Sequence, residues 1–288
     1  MTTSNSPRRF GKIFDDVAEQ YDAVRRGYPE ALVDRAAARG SLAPGSRVVE
    51  VGSGTGKLTE LLVAREFDVW AVDPGANMVE VAQRRLGARG SGVRFTVASF
   101  EDVDLPVGAF DALFSATAFH WPDPSVSWAK AASVLRPGGL LALLSHIGLQ
   151  DEQSAELDRG FLEILSRHAP EIAATWGPQR DLDALLAGAE TRRRNASAVW
   201  DWMMFEQHGL TVEEATDLFR DVEIDAETAT VEETADEGLA LLRTTSLYFR
   251  IDPERRDDFE DDYRRLVEGA GGRARFAAAT VLMTARRA

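Results

Sequence analysis

Three glycines spaced two apart, an acid 21 residues beyond the first of them and a histidine in an aromatic turn are the residues of this 288-residue sequence best suited to chemistry. Gly52, Gly54 and Gly56 sit in VVEVGSGTGKLT, where a short apolar, β-branched run enters a tight turn and then a segment of helical character. That order of strand, turn and helix start suits an adenosyl group, because glycine admits backbone conformations that a Cβ disfavours and lets the main chain approach a ligand. Gly56 would permit close packing of the following helix. A dinucleotide fingerprint sets its third glycine three positions after the second. Here Lys57 holds that position, which weakens the case for a pyrophosphate. Asp73 closes a second apolar run, Val69 to Val72. A carboxylate there can accept from both vicinal hydroxyls of a ribose, since the carboxyl end of a strand in an open α/β sheet faces the ligand crevice. The helical pattern opening at Pro74 and taking in Met78 also fits Asp73 as a helix cap, and the two roles are compatible. His120 and Trp121 lie in FHWPDP, where an imidazole could take a proton from a hydroxyl, amine or activated carbon. Alternatively His120 shapes a pocket and Trp121 is a packed wall.

These residues need strands to position them. VRFTVASFEDVDLP reads as a third strand entering a polar turn at Ser99, Phe100 and Glu101, FDALFSATA as a fourth containing Ser115, and LRPGGLLALLS as a helix end, a turn and a fifth buried strand. Five strands alternating with helices imply a parallel sheet, and the near-continuous apolarity of VVEV, VWAV and LLALLS fits strands covered on both faces. His146, just past the fifth strand, is a second base candidate. Residues 146–221 break the alternation and gather His168, Trp176, Trp200, Trp202, Met203, Met204, Phe205 and His208. The segment reads as an inserted helical lid with helices beginning near Glu152, Asp181 and Val212, its aromatics and methionines forming either an acceptor wall or the insert's own small core. His168 and His208 read as surface or capping groups. The tail restores the pattern, with a strand at DVEIDAETATV, helices at TADEGLALLRTTS and DPERRDDFEDDYRRLVEGAGG, and a final strand at RFAAATVLMTARR. The expected division is a tail and cap helix at 1–28, a core at 29–145, the lid at 146–221 and completion of the sheet at 222–288.

Glu50 followed by Gly52, Gly54 and Gly56 resembles the first motif of the class I methyltransferases that use S-adenosylmethionine. FHWPDP resembles the small-molecule branch that includes trans-aconitate and ubiquinone-type methyltransferases. FDDVAEQYDAVRRGYPEALVD resembles the family's amino-terminal cap, with Arg26 where relatives usually have proline, and Ser99 stands where many relatives carry aspartate. The resemblance implies a Rossmann-like, seven-stranded, mostly parallel sheet with an antiparallel last strand and helices on both faces. It also implies methyl transfer to an oxygen, nitrogen or carbon of a small metabolite, with S-adenosylhomocysteine as product. Carried residue by residue, it assigns the cofactor to Tyr21, Arg25, Glu50, Gly52, Ser53, Gly54, Gly56, Asp73, Pro74, Met78, Ser99, Phe100, Glu101 and Ser115. Arg25 would pair with the methionyl carboxylate, an exposed ion pair being the plain alternative, and Tyr21 would close over the methionyl chain. Thr244, Thr245 and Ser246 resemble a segment near the acceptor, although a helix carboxyl terminus accounts for them equally. His120 and His146 are the catalytic candidates. A nicotinamide-dependent oxidoreductase shares the alternating sheet but wants another glycine spacing, and a silent adenosyl-binding protein would keep the pocket without the reaction.

Composition narrows the partners. A net charge of −14 repels phosphate backbones, so a small acceptor is expected and nucleic acid is not. ETRRRN, at residues 190–195, is the one basic run, read as a solvated helix end or as a means of orienting an anionic acceptor. The lack of cysteine removes disulfides, thiolate metal sites and cysteine nucleophiles, and no other spacing suggests a metal. No apolar run approaches the roughly 18 residues of a membrane span, and Pro7-Arg8-Arg9 lead into no signal sequence, so a cytoplasmic protein is expected.

Overall fold

The computed structural model describes residues 14–174, 180–204 and 217–288. Its strands are β1 (Arg47–Val51), β2 (Asp68–Asp73), β3 (Arg94–Val97), β4 (Phe110–Ala116), β5 (Leu135–Leu149), β6 (Phe219–Glu233) and β7 (Ala274–Arg287). They form one sheet in the order β3-β2-β1-β4-β5-β7-β6. The first five pair parallel, while β7 lies antiparallel between β5 and β6. This is the Rossmann-like, mostly parallel sheet with an antiparallel last strand that the sequence implies. The strand order reverses between β1 and β4, which leaves a crevice at their carboxyl ends.

Alternation along each strand decides what each face buries. Val48, Ala112, Phe114 and Leu140 meet Leu32 and Val33 of α2 (Glu30–Gly40) and Leu58 and Leu62 of α3 (Lys57–Ala64). Val49, Leu113, Leu141 and Leu143 face the other way, against Trp128 and Ala131 of α5 (Pro124–Val134). Both faces are therefore dry, which accounts for the continuous apolar runs. On the amino-terminal side, α1 (Ala18–Val24) rests on α4 (Ala76–Leu86) through Ala18, Met78 and Val81.

The described helices between β5 and β6 serve two neighbours. α6 (Ala155–His168) and α7 (Pro170–Ala173) join α10 (Ala235–Leu242), α11 (Ser246–Arg250) and α12 (Arg256–Gly269) in apolar clusters around Leu165, Phe259 and Tyr263. α8 (Leu182–Glu190), capped by Asp181, and α9 (Ala196–Met204) instead cover the sheet through Leu185, Val199 and Trp200. His168, expected at the surface or at a cap, is buried, with Nε2 2.8 Å from an Asp262 carboxylate oxygen. Two strand ends also differ from expectation. β5 starts directly after α5, absorbing the Pro-Gly-Gly stretch as a register shift against β4, and it runs on to Leu149, so His146 lies within the strand opposite Thr280. Residues 7–9, Trp176, Phe205, His208 and the helix expected near Val212 lie outside the described residues. No helix among the described residues is long and apolar enough to cross a membrane.

Candidate functional site

The carboxyl ends of β1, β2 and β4 open into a cavity of about 400 Å³. Gly52 and Gly54 line it in left-handed conformations, with φ of +72° and +52°. The Gly52 and Ser53 amides donate to the Val72 carbonyl at 2.8 and 3.1 Å, bending the loop over the end of β2. There Asp73 accepts from the Gly54 amide at Oδ2 and from the Gly75 amide at Oδ1, both at 2.8 Å. One carboxylate thus ties the glycine loop to the start of α4. Burial pushes Asp73 up to about 6, against the pull of those two amides. A Cβ on Gly54 would meet no atom within 4 Å, so the space above it is open to a ligand. Gly56 works elsewhere: its Cβ would come within 3.0 Å of Ala82, so it sets the approach of α3 to α4, outside the cavity.

Glu50 points to the opposite face of β1, where it accepts from Thr59 Oγ1 at 2.6 Å. With Ser53, Tyr21 and Arg25 it lines an adjoining pocket of about 80 Å³. Burial raises it from the ordinary 4.5 to about 8. A carboxyl raised on folding holds its proton in the native state where the unfolded chain has released it, so its contribution to stability falls as pH rises from 4.5 to 8. Glu50→Gln is therefore expected to flatten the stability loss between about pH 5 and pH 8, measured by urea unfolding at both values. A loss as steep as in the unmodified chain would contradict the assignment.

Ser99, Phe100 and Glu101 all reach the cavity, and the two polar side chains are committed to local partners. Ser99 Oγ donates to Asp102 at 2.7 Å, while Glu101 Oε1 accepts from the Asp123 amide at 2.7 Å, joining this turn to the loop after β4. Phe100 is buried beside Phe119. Pro74 and Met78 complete this side. Ser115 does not reach the cavity: it is fully buried and donates to the Val51 carbonyl at 2.7 Å, a cross-strand bond between β4 and β1 rather than a ligand contact. Phe14, Asp15, Tyr21 and Arg25 also line the cavity. Asp15 Oδ1 accepts from the Asn77 and Met78 amides at 2.7 and 3.1 Å, capping α4, which has no side-chain cap at its own Gly75. Phe14 sets its ring edge against Tyr21 and Trp121. Arg25 donates from Nε to Thr244 Oγ1 at 3.0 Å and from Nη2 to the Thr244 carbonyl at 2.7 Å.

The far wall combines His120, Trp121, His146, Met204, Thr245 and Ser246. His146 places Nδ1 2.9 Å from Thr280 Oγ1 and stacks on Tyr28 with centroids 4.7 Å apart and planes 3° from parallel. The Tyr28 hydroxyl donates in turn to Thr117 Oγ1 at 3.0 Å. His146 Nε2 and His120 Nδ1 are buried with no hydrogen-bond partner. Burial holds both imidazoles down at about 4, with Arg26 adding to the effect at His146, so both are neutral at pH 7. Of the aromatic and methionine cluster near 200, Trp200 and Met203 belong to the core and only Met204 among these described residues lines the cavity. The basic run is likewise drawn into packing. The Arg192 guanidinium lies over the Trp202 ring, 4.1 Å from its centre, and Arg193 donates to the Val222 carbonyl. Among the described residues no group of histidines and acids is arranged to hold a metal.

The methyltransferase-domain family matches residues 49–143. A methyltransferase of Mycobacterium tuberculosis is 37% identical over 142 residues, 48% of this chain and 54% of that protein. One from Geobacillus thermodenitrificans is 32% identical over 172 residues, 54% of this chain and 78% of that protein. The chain belongs to the methyltransferases. Among solved structures, one from Anaeromyxobacter dehalogenans assigned as a type II methyltransferase shares the fold, with a TM-score of 0.57 at 23% identity over 91% of this chain and 97% of that one. The chain spans about half the length of the curated relatives it matches first. Sequence reasoning missed Phe14, Asp15 and Thr117 in its cavity; Asp15 caps a helix 62 residues away, a relation with no local sequence signal.

Proposed function

We propose that the methyltransferase carries the methyl group of S-adenosylmethionine to an oxygen, nitrogen or carbon of a small metabolite, in the cytoplasm. The observation that supports this most is the Asp73 carboxylate, which ties the glycine loop to α4 at the mouth of the cavity while two of the roughly four acceptor positions of an ionised carboxylate remain for ribose hydroxyls. The donor, when bound, supplies a sulfonium methyl group open to in-line displacement. The chain's own residues then have three tasks. Gly52, Gly54 and Asp73 hold the nucleoside, with Phe100, Pro74 and Met78 against the base and Tyr21 and Arg25 toward the amino-acid end. Met204, Thr245, Ser246 and Trp121 enclose the acceptor, which gives Met204 of the 146–221 segment a lid role. Alignment is the main contribution, because fixing two reactants in a near-attack geometry removes most of the entropic part of the barrier. His120 and His146, neutral at pH 7, are the groups placed to orient an acceptor or receive its proton.

A nucleic-acid acceptor is disfavoured by the net charge of −14. Isothermal calorimetry of the full chain with S-adenosylhomocysteine is expected to show one-site binding. No heat at millimolar ligand would remove the donor reading, and donor binding without label transfer from radiolabelled S-adenosylmethionine to any component of a metabolite extract would favour a silent binding protein.

A further inference from the structure

The Thr-Thr-Ser stretch at 244–246 is more than a helix end. Thr244 is 1% exposed and sits just after α10, where its hydroxyl donates to the Leu241 carbonyl at 2.7 Å. The same oxygen accepts from Arg25 Nε, and the Thr244 carbonyl accepts from Arg25 Nη2, so two of the three guanidinium nitrogens are fixed by one residue 219 positions away. Thr245, next in the chain, turns its hydroxyl to the Leu242 carbonyl and caps α11 through the Tyr248 amide, and with Ser246 it lines the cavity that Arg25 also lines. Thr244 itself does not line the cavity, so any effect it has on a ligand passes through Arg25.

We propose that Thr244 is a positioning residue: it orients the Arg25 guanidinium toward the carboxylate of the donor's amino-acid end and couples that end of the cavity to the acceptor wall at Thr245 and Ser246. The physical reason lies in the arginine. A guanidinium on a flexible stem loses side-chain entropy whenever it binds an anion, and a fork already held at two nitrogens has lost most of it beforehand. A threonine does this where a valine cannot, because its hydroxyl donates to one group and accepts from another in the same place. The backbone contact to Nη2 would survive replacement of the side chain, while the Nε contact would not.

The inference rests on the donor reading above, and its test separates the two. Calorimetry would compare S-adenosylhomocysteine, which carries the amino-acid end, with 5′-methylthioadenosine, which lacks it. Thr244→Val, nearly isosteric, is expected to weaken S-adenosylhomocysteine binding roughly tenfold, the scale of one hydrogen bond to a charged group. Methylthioadenosine affinity should stay within about twofold of the unmodified chain, and Thr244→Ser should restore S-adenosylhomocysteine binding. Equal weakening of both ligands by Thr244→Val would mean a structural role only and would overturn the proposal, as would no weakening of either. If the unmodified chain bound neither ligand, the donor reading would fail first and Thr244 would have no ligand to act on.

Discussion

Asp73→Ala is expected to weaken S-adenosylhomocysteine binding by about a hundredfold or more. Hydrogen bonds to a charged group contribute about 1.5–3 kcal/mol each, two are proposed to the ribose, and each 1.4 kcal/mol is about tenfold in affinity. The substitution also strips the Gly54 and Gly75 amides of their acceptor, so part of the loss would come from a looser glycine loop. Asp73→Asn separates the two effects, since it preserves shape and one acceptor oxygen. The pH dependence follows from the raised value of about 6. Above it the carboxylate is ionised and accepts at all its positions; below it the proton occupies one of them and the charge is gone. Affinity should therefore decline as pH falls through 6 in the unmodified chain and stay level in Asp73→Asn, as measured by calorimetry from about pH 5 to pH 8. A level profile in both would show that Asp73 does not hold the donor.

Gly52→Ala is the second large effect. At φ +72° an alanine pays a left-handed penalty of roughly 1–2 kcal/mol, and its Cβ would lie 2.3 Å from the Cβ of Ala118, which must then move. Ala118 belongs to the loop that presents His120 and Trp121, so the displacement reaches two walls of the cavity. We expect a stability loss of about 2–4 kcal/mol in urea unfolding, within the range of overpacked sites, together with at least tenfold weaker S-adenosylhomocysteine binding. Gly108 provides the control, because it has φ +65° and a methyl group added there would meet nothing within 4 Å. Gly108→Ala should show the conformational penalty alone and normal ligand affinity. Equal losses in the two variants would mean that the Gly52 contact with Ala118 contributes nothing.

Local patterns carried most of the fold. Apolar runs bounded by glycine and polar turns mark the inner parallel strands β1, β2, β4 and β5, which are covered on both faces, while the edge strand β3 is exposed or half-buried throughout, and the acid at the end of the second run lies where the topology opens. That Gly52, Gly54 and Asp73 meet at the cavity was legible for the same reason, because they lie within a short loop and one neighbouring strand. The far wall was not, because it is assembled from distant segments. Nothing in the sequence near Tyr28 indicates that its ring lies on His146, or that His146 reaches across to Thr280. Ser115 shows the opposite failure, a polar residue at a strand end that the topology turns inward to a neighbouring carbonyl. Tryptophan and methionine spacing around 200 could not separate wall from core, since both ask for the same apolar side chains, and only the third dimension assigns Met204 to the cavity.

The position of β7 has a bearing on biosynthesis. It threads between β5 and β6, and the His146 to Thr280 bond it supplies spans 134 residues, while Arg25 waits 219 residues for Thr244. As the polypeptide leaves the ribosome, β5 therefore stands for some time with one edge unpaired over Leu140–Leu149, the apolar run Leu140–Leu144 included. Such an edge is a template for pairing with other nascent copies. Slow decoding between residues 150 and 274 would lengthen that exposure.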